Sequence, residues 1–217
     1  QARSNNELYL AGLTTLEEDD PSAEEPTEEQ IAAFEALGVP PKGEVVYQSR
    51  FAEEVGPEWS LPYRDITPQG LRPLLGEFGS NDSLEFSLDD LPAHQLVRID
   101  MDVFFMSSSP MSHHTHQFRM MLGGSRQLVN TSFSSMNPTE ERSPRQLYPD
   151  SFTNNQETRR FYPACTGASE RSTLGYSQQL RGSDLTEWNA VYRLTQYAVH
   201  DGESLSLTLN SSGGYNN

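Results

Sequence analysis

The sequence predicts an all-β domain, an antiparallel β-sandwich preceded by an acidic arm and one short helix. Three observations carry this. Apolar residues recur at every second position in several separate stretches, Gly-containing turns lie between them, and helical spacing is confined to the first 43 residues. The 217 residues include 15 basic and 31 acidic side chains, a net charge of −16. That charge repels phosphate backbones and anionic lipid and argues against nucleic-acid partners. No apolar run reaches the roughly 20 residues that cross a bilayer as a helix. A single cysteine, Cys165, rules out an internal disulfide and any paired-Cys metal motif.

Residues 1–43 form the arm and helix; residues 44–217 form the sandwich. Between Glu17 and Glu29 stand eight acids, two prolines and no base, a stretch too poor in apolar surface to offset its ordering entropy. Thr27-Glu28-Glu29-Gln30 then has the form of a capping box. Ile31, Phe34 and Leu37 follow at helical spacing, with Gly38 at the position of a C-cap. This amphipathic helix either clips onto the main domain or docks a partner protein through Ile31 and Phe34.

From Glu44 the period becomes two. Val45-Val46-Tyr47 opens a strand, and Leu84, Phe86 and Leu88 alternate with polar residues. Val97, Ile99, Met101, Val103 and Phe105 form a longer alternation with Arg98, Asp100 and Asp102 on the opposite face. Gly123-Gly124 joins residues 118–122 to 126–133 as a hairpin. Asp201-Gly202 is expected to do the same for residues 191–200 and 203–209. In the last strand Leu205, Leu207 and Leu209 face one way, and Ser204, Ser206 and Thr208 the other. Residues 134–186, with four prolines, six arginines and several aromatics, read as a long ordered excursion over one end or face of the sandwich.

The order of short motifs along these strands resembles a lectin-like, concanavalin A-like jelly-roll domain of exported bacterial proteins, over roughly residues 44–210. The motifs begin with Val46-Tyr47 through Phe51, Val55-Gly56-Pro57-Glu58-Trp59-Ser60 and Leu75-Gly76-Glu77-Phe78-Gly79. They continue with Leu91-Pro92-Ala93-His94, Asp102-Val103-Phe104-Phe105, Thr131-Ser132-Phe133-Ser134 and Gln146-Leu147-Tyr148-Pro149-Asp150. Thr173-Leu174-Gly175-Tyr176, Val191-Tyr192-Arg193-Leu194-Thr195 and His200 complete the series. The resemblance implies a jelly-roll sandwich and an extracytoplasmic location in the periplasm, at the cell surface or secreted; it implies no catalytic role. A first residue of Gln1 rather than Met reads as a fragment or a processed N-terminus, removal of an export signal being the natural reading. The chain departs from the family twice. Where the family carries a Trp-Asp-Gly loop and a further Asp, this sequence has residues 107–116, which hold His113, His114 and His116. The family's closing Trp-Gly-Leu-Asp-Asn strand is also absent from the residues up to Asn217, so a further segment or a partner's strand is expected to close that edge.

Three groups of residues in the sandwich are candidate sites. His114 and His116 alternate as metal ligands would, though any third ligand must come from elsewhere. Asp100 and Asp102 have the spacing of a ligand pair for calcium or a sugar, or of two hydrolase carboxylates, against a plain reading as a salt-bridged face. Arg142, Arg145, Tyr148, Arg159, Arg160, Phe161 and Tyr162 have the composition of a protein interface. Cys165 has no base nearby and reads as an isolated thiol, while His94 and His200 read as structural. Together these predict a non-catalytic structural or interaction subunit of an envelope or extracellular assembly, with other envelope proteins as partners and no cofactor beyond possible calcium. A carbohydrate-binding module is the alternative and a glycan hydrolase the third reading.

Overall fold

The computed structural model describes residues 6–11, 43–79, 82–106, 116–135, 145–152, 159–179, 185–187 and 189–213. Among them every regular element is a strand, and every strand pairing is antiparallel. Among the same residues no helix is long and apolar enough to cross a membrane. The expected helix with Ile31, Phe34 and Leu37, the acidic stretch, and Arg142, His113 and His114 lie outside the described residues.

The larger sheet has five strands in the order β2 (Gly43–Ser49), β1 (Asn6–Ala11), β6 (Leu96–Met106), β12 (Asn189–Val199) and β9 (Glu170–Arg171). The second has four: β5 (Ser83–Leu88), β13 (Leu205–Gly213), β7 (His116–Leu122) and β8 (Arg126–Ser132). Two short hairpins flank them, β3 (Arg64–Ile66) with β4 (Pro73–Leu75) and β10 (Ser177–Gln179) with β11 (Leu185–Glu187). The period-two reading holds at β5, where Leu84 and Phe86 are buried while Ser83, Glu85 and Ser87 are exposed. One core cluster takes Val97, Ile99 and Ala198 from the larger sheet, and Phe86, Leu122, Leu205 and Leu207 from the smaller. The inward faces of both sheets thus share an apolar interior, and burying it is the main force holding the fold together.

The Gly123-Gly124 turn is as expected. Both glycines hold positive φ, 59° and 70°, and β7 continues into β8. The Asp201-Gly202 hairpin is not. β12 pairs with β6 and β9, whereas β13 pairs with β5 and β7, so residues 200–204 carry the chain from one sheet to the other. Local turn chemistry suits a hairpin, but both strands offer the shared core apolar residues (Ala198, Leu205, Leu207), and burial in separate sheets outweighs it. The crossing is tied by His200 N–H donating to the Gln95 carbonyl at 3.0 Å and Leu91 N–H to Glu203 at 2.9 Å. His94 and His200 stack beside it with His94 Nε2 2.7 Å from His200 Nδ1. Because the Pro92 carbonyl lies 2.7 Å from His94 Nδ1, that nitrogen carries the proton. His94 Nε2 then accepts from His200 Nδ1–H.

The described parts of the 134–186 excursion are ordered by burial and by two buried amides. Ala164 and Cys165 join Phe133, Tyr192 and Leu194 in a second core cluster, with Tyr148 packed against it. Gln146, fully buried, donates to the carbonyls of Tyr148 and Thr166 at 2.9 and 2.8 Å. Its Oε1 lies 2.7 Å from the Tyr192 hydroxyl and 3.2 Å from Ser134 N. Asn189 does similar work, accepting from Leu174 N–H at 2.9 Å and donating to the Tyr176 carbonyl at 3.1 Å. Irregular backbone enters an interior only when its polar groups find partners, and these two side chains provide them. Gly175 permits the close approach of neighbouring loops: with φ at +80°, a Cβ there would sit 2.6 Å from Gln69 N.

Candidate binding cleft

The larger sheet is staggered. β1 accompanies β6 from Leu96 to Asp100, whereas β12 pairs with β6 along its whole length to Met106. Beyond Asp100, no described strand flanks β6 on the side away from β12. A cleft of about 300 Å³ opens there. Met101, Val103 and Phe105 form one wall; Leu84, Leu209 and Phe118, all from the smaller sheet, form the other. Phe51 and Trp59 also line it, as does the segment from Pro73 to Gly79 after the β3–β4 hairpin.

Each wall is held in place by its own contacts. Trp59 packs edge-on against Phe51 and tilted against Phe86, with centroids 5.7 and 4.7 Å apart, and its indole N–H donates to the Tyr47 hydroxyl at 2.7 Å. The Tyr47 hydroxyl in turn donates to Glu58 at 2.9 Å; burial raises its pKa above the ordinary value and so keeps the proton in place. The β3–β4 hairpin is fastened by Arg72, whose guanidinium lies 4.5 Å over the Phe104 ring and pairs with Glu170 at 2.8 Å. At the rim, Asp82 accepts from Gly79 N–H at 2.6 Å, and Glu77 and Asp82 are both exposed. Among the described residues the lining contains no lysine or arginine.

Asp100 and Asp102 are committed to their neighbours. Asp100 takes Arg98 Nε at 2.9 Å and the Thr195 hydroxyl at 2.6 Å. Asp102, whose side chain is 1% exposed, receives Arg193 through two contacts of 2.9 and 3.3 Å. Thr195 and Arg193 come from β12, in the register that opposes them to Asp100 and Asp102, whereas Arg98 stands two residues before Asp100 on β6 itself. One cross-strand ion pair, one cross-strand hydrogen bond and one ion pair within β6 thus occupy the two carboxylates. They leave neither carboxylate open as an acid or nucleophile.

The residues of the expected interface separate. Tyr148 belongs to the second core cluster, and Tyr162 bridges to Gln146 through its backbone. The Arg159 guanidinium lies 5.2 Å over the Phe152 ring. Arg145, Arg160 and Phe161 are exposed, and the Gln146–Tyr162 bridge brings Arg145 and Phe161 onto one patch. The backbone of His116 opens β7 opposite Gly213. Among the described residues no three His, Cys, Asp or Glu side chains converge as a metal site. Cys165 is buried; desolvation raises its thiol pKa and Arg171 opposes that in part. The sequence reading missed the cleft altogether. Its walls come from separate segments, and the one available signal was that Met101, Val103 and Phe105 form the apolar half of a strand longer than its neighbour β1.

Comparison with protein-family models, with curated proteins and with solved structures finds no match. The class that the fold itself defines is an all-β protein of antiparallel sheets.

Proposed function

We propose that this chain is a non-catalytic binding module, built as a jelly-roll β-sandwich and serving after export as a subunit of an envelope or extracellular assembly. The observation that carries the reading is the open, aromatic-lined cleft beside the half of β6 that, on the side away from β12, no described strand flanks. Concave apolar sites with a few polar groups at the rim are the usual form of a recognition site. The commitment of Asp100 and Asp102 to Arg98, Thr195 and Arg193 supports binding over glycan hydrolysis. Exposed Phe161, Tyr63 and Leu71 offer further apolar contact at the surface. The test is the native mass and composition of the protein purified gently from its source. A stoichiometric complex is expected. A monodisperse, unassociated monomer would overturn the assembly reading and turn attention to glycans.

A further inference from the structure

We infer that the cleft takes a small apolar molecule carrying a positive charge at one end, an inference that rests on the binding-module reading and names its ligand class. The space of about 300 Å³ is at the lower end of ligand-pocket volumes, suited to one ring system or a short alkyl chain. Its interior is apolar, with Trp59, Phe51, Phe105 and Phe118 around it, so an apolar body gains by leaving water. The charge preference comes from the rim. Glu77 and Asp82 stand exposed at the mouth; among the described residues neither is in an ion pair and no cationic side chain lines the cleft. The third carboxylate, Asp102, is neutralised by Arg193. An anionic head would therefore meet uncompensated repulsion at the mouth, and a cationic head attraction. At roughly 6–8 Å in a water-like medium, two such carboxylates favour a cation over an anion of the same shape by about tenfold after screening by salt.

The test titrates the full chain with octyltrimethylammonium, 1-octanol and octanoate, each below its aggregation concentration, by calorimetry. Saturable binding is expected in the order cation, alcohol, anion, with about tenfold between the first and last. The variant E77Q/D82N should reduce that ratio to below about threefold, because the asparagine carbonyl still accepts from Gly79 N–H while the charge is gone. D89N/D90N, at the opposite end of β5, should leave the ratio unchanged and so excludes a response to overall charge. Leu209→Phe should weaken all three probes by filling the cleft, and Ser211→Tyr at the rim serves the same purpose if the first variant fails to fold. An equal response to cation and anion, or a ratio that survives E77Q/D82N, would overturn the inference. Absence of saturable binding by any probe would also overturn it. If a native complex persisted in that case, the binding-module reading would stand without this ligand class; a free monomer that binds the cation would overturn the assembly reading alone.

Discussion

Gln146 is the side chain on which the ordering of the long excursion depends most. Replacing it with leucine keeps similar bulk but removes four contacts: those to the Tyr148 and Thr166 carbonyls, to Ser134 N–H and to the Tyr192 hydroxyl. The Tyr192 hydroxyl keeps the Ser134 carbonyl at 2.7 Å, so three backbone groups bear the loss. At about 1–3 kcal/mol for a buried group deprived of its partner, and about 1 for each of the part-buried Tyr148 and Thr166 carbonyls, Gln146→Leu is expected to cost about 3–5 kcal/mol. Tyr192→Phe is the control, since it touches the same network from the other side. Removing that hydroxyl leaves Gln146 Oε1 with Ser134 N–H, and the Ser134 carbonyl with Cys165 N–H at 3.0 Å. No group loses its last partner, and the cost should be about 1 kcal/mol. Urea unfolding followed by tryptophan fluorescence reads both. With a slope of roughly 2 kcal/mol per molar urea, the midpoints should fall by about 2 M and about 0.5 M respectively. Equal shifts for the two variants would refute the reasoning, because the amide would then be no more than one contact among many.

Three further outcomes follow from the same contacts. The His200 pKa is lowered, first by burial and then by neighbouring His94, with the Ser204 carbonyl and Asp201 opposing. Its contribution to stability is therefore present above the unfolded value near 6.5 and is lost as pH falls through the folded value, so the urea midpoint should drop between about pH 7.5 and about pH 5.5. His200→Gln should flatten that dependence, and an unchanged slope would contradict the assignment. The Cys165 thiol should react with a disulfide reagent roughly 100-fold faster in denaturant than in the folded protein; comparable rates would show that the second core cluster opens. Millimolar calcium should produce no thermal stabilisation that Asp100→Asn or Asp102→Asn removes, since their partners already occupy both carboxylates. A calcium-dependent shift abolished by either variant would show that these contacts open to bind the ion.

Strand positions were legible wherever one face is buried and the other wet. β5 and the start of β13 repeat with period two because burial imposes that period directly, whereas β6 alternates in sequence yet is half-buried on both faces beyond Ile99. β1 was missed: six residues, Asn6–Ala11, next to a charged stretch do not announce a strand until β2 and β6 are seen on either side. Asp201-Gly202 misled because a turn signal is local, while the choice of sheet for the two flanking strands depends on core residues far apart in sequence. Alternation along β6 sets Arg98, Asp100 and Asp102 on one face but does not name their partners, which come from β12 and from β6 itself. Glu77 and Asp82 were not marked as candidates. They acquire meaning only once the fold sets them at the mouth of a cleft whose walls span residues 51 to 211.

The central claim is that the chain works by binding through this cleft, and the most direct test compares wild type with Leu209→Phe in the source cells. Both proteins are purified gently, and their native mass and composition are measured side by side. A stoichiometric complex for the wild type, lost or loosened in a Leu209→Phe protein whose folded stability is intact, is the expected result. A complex indifferent to the filled cleft would contradict it, and two unassociated monomers would overturn the assembly reading.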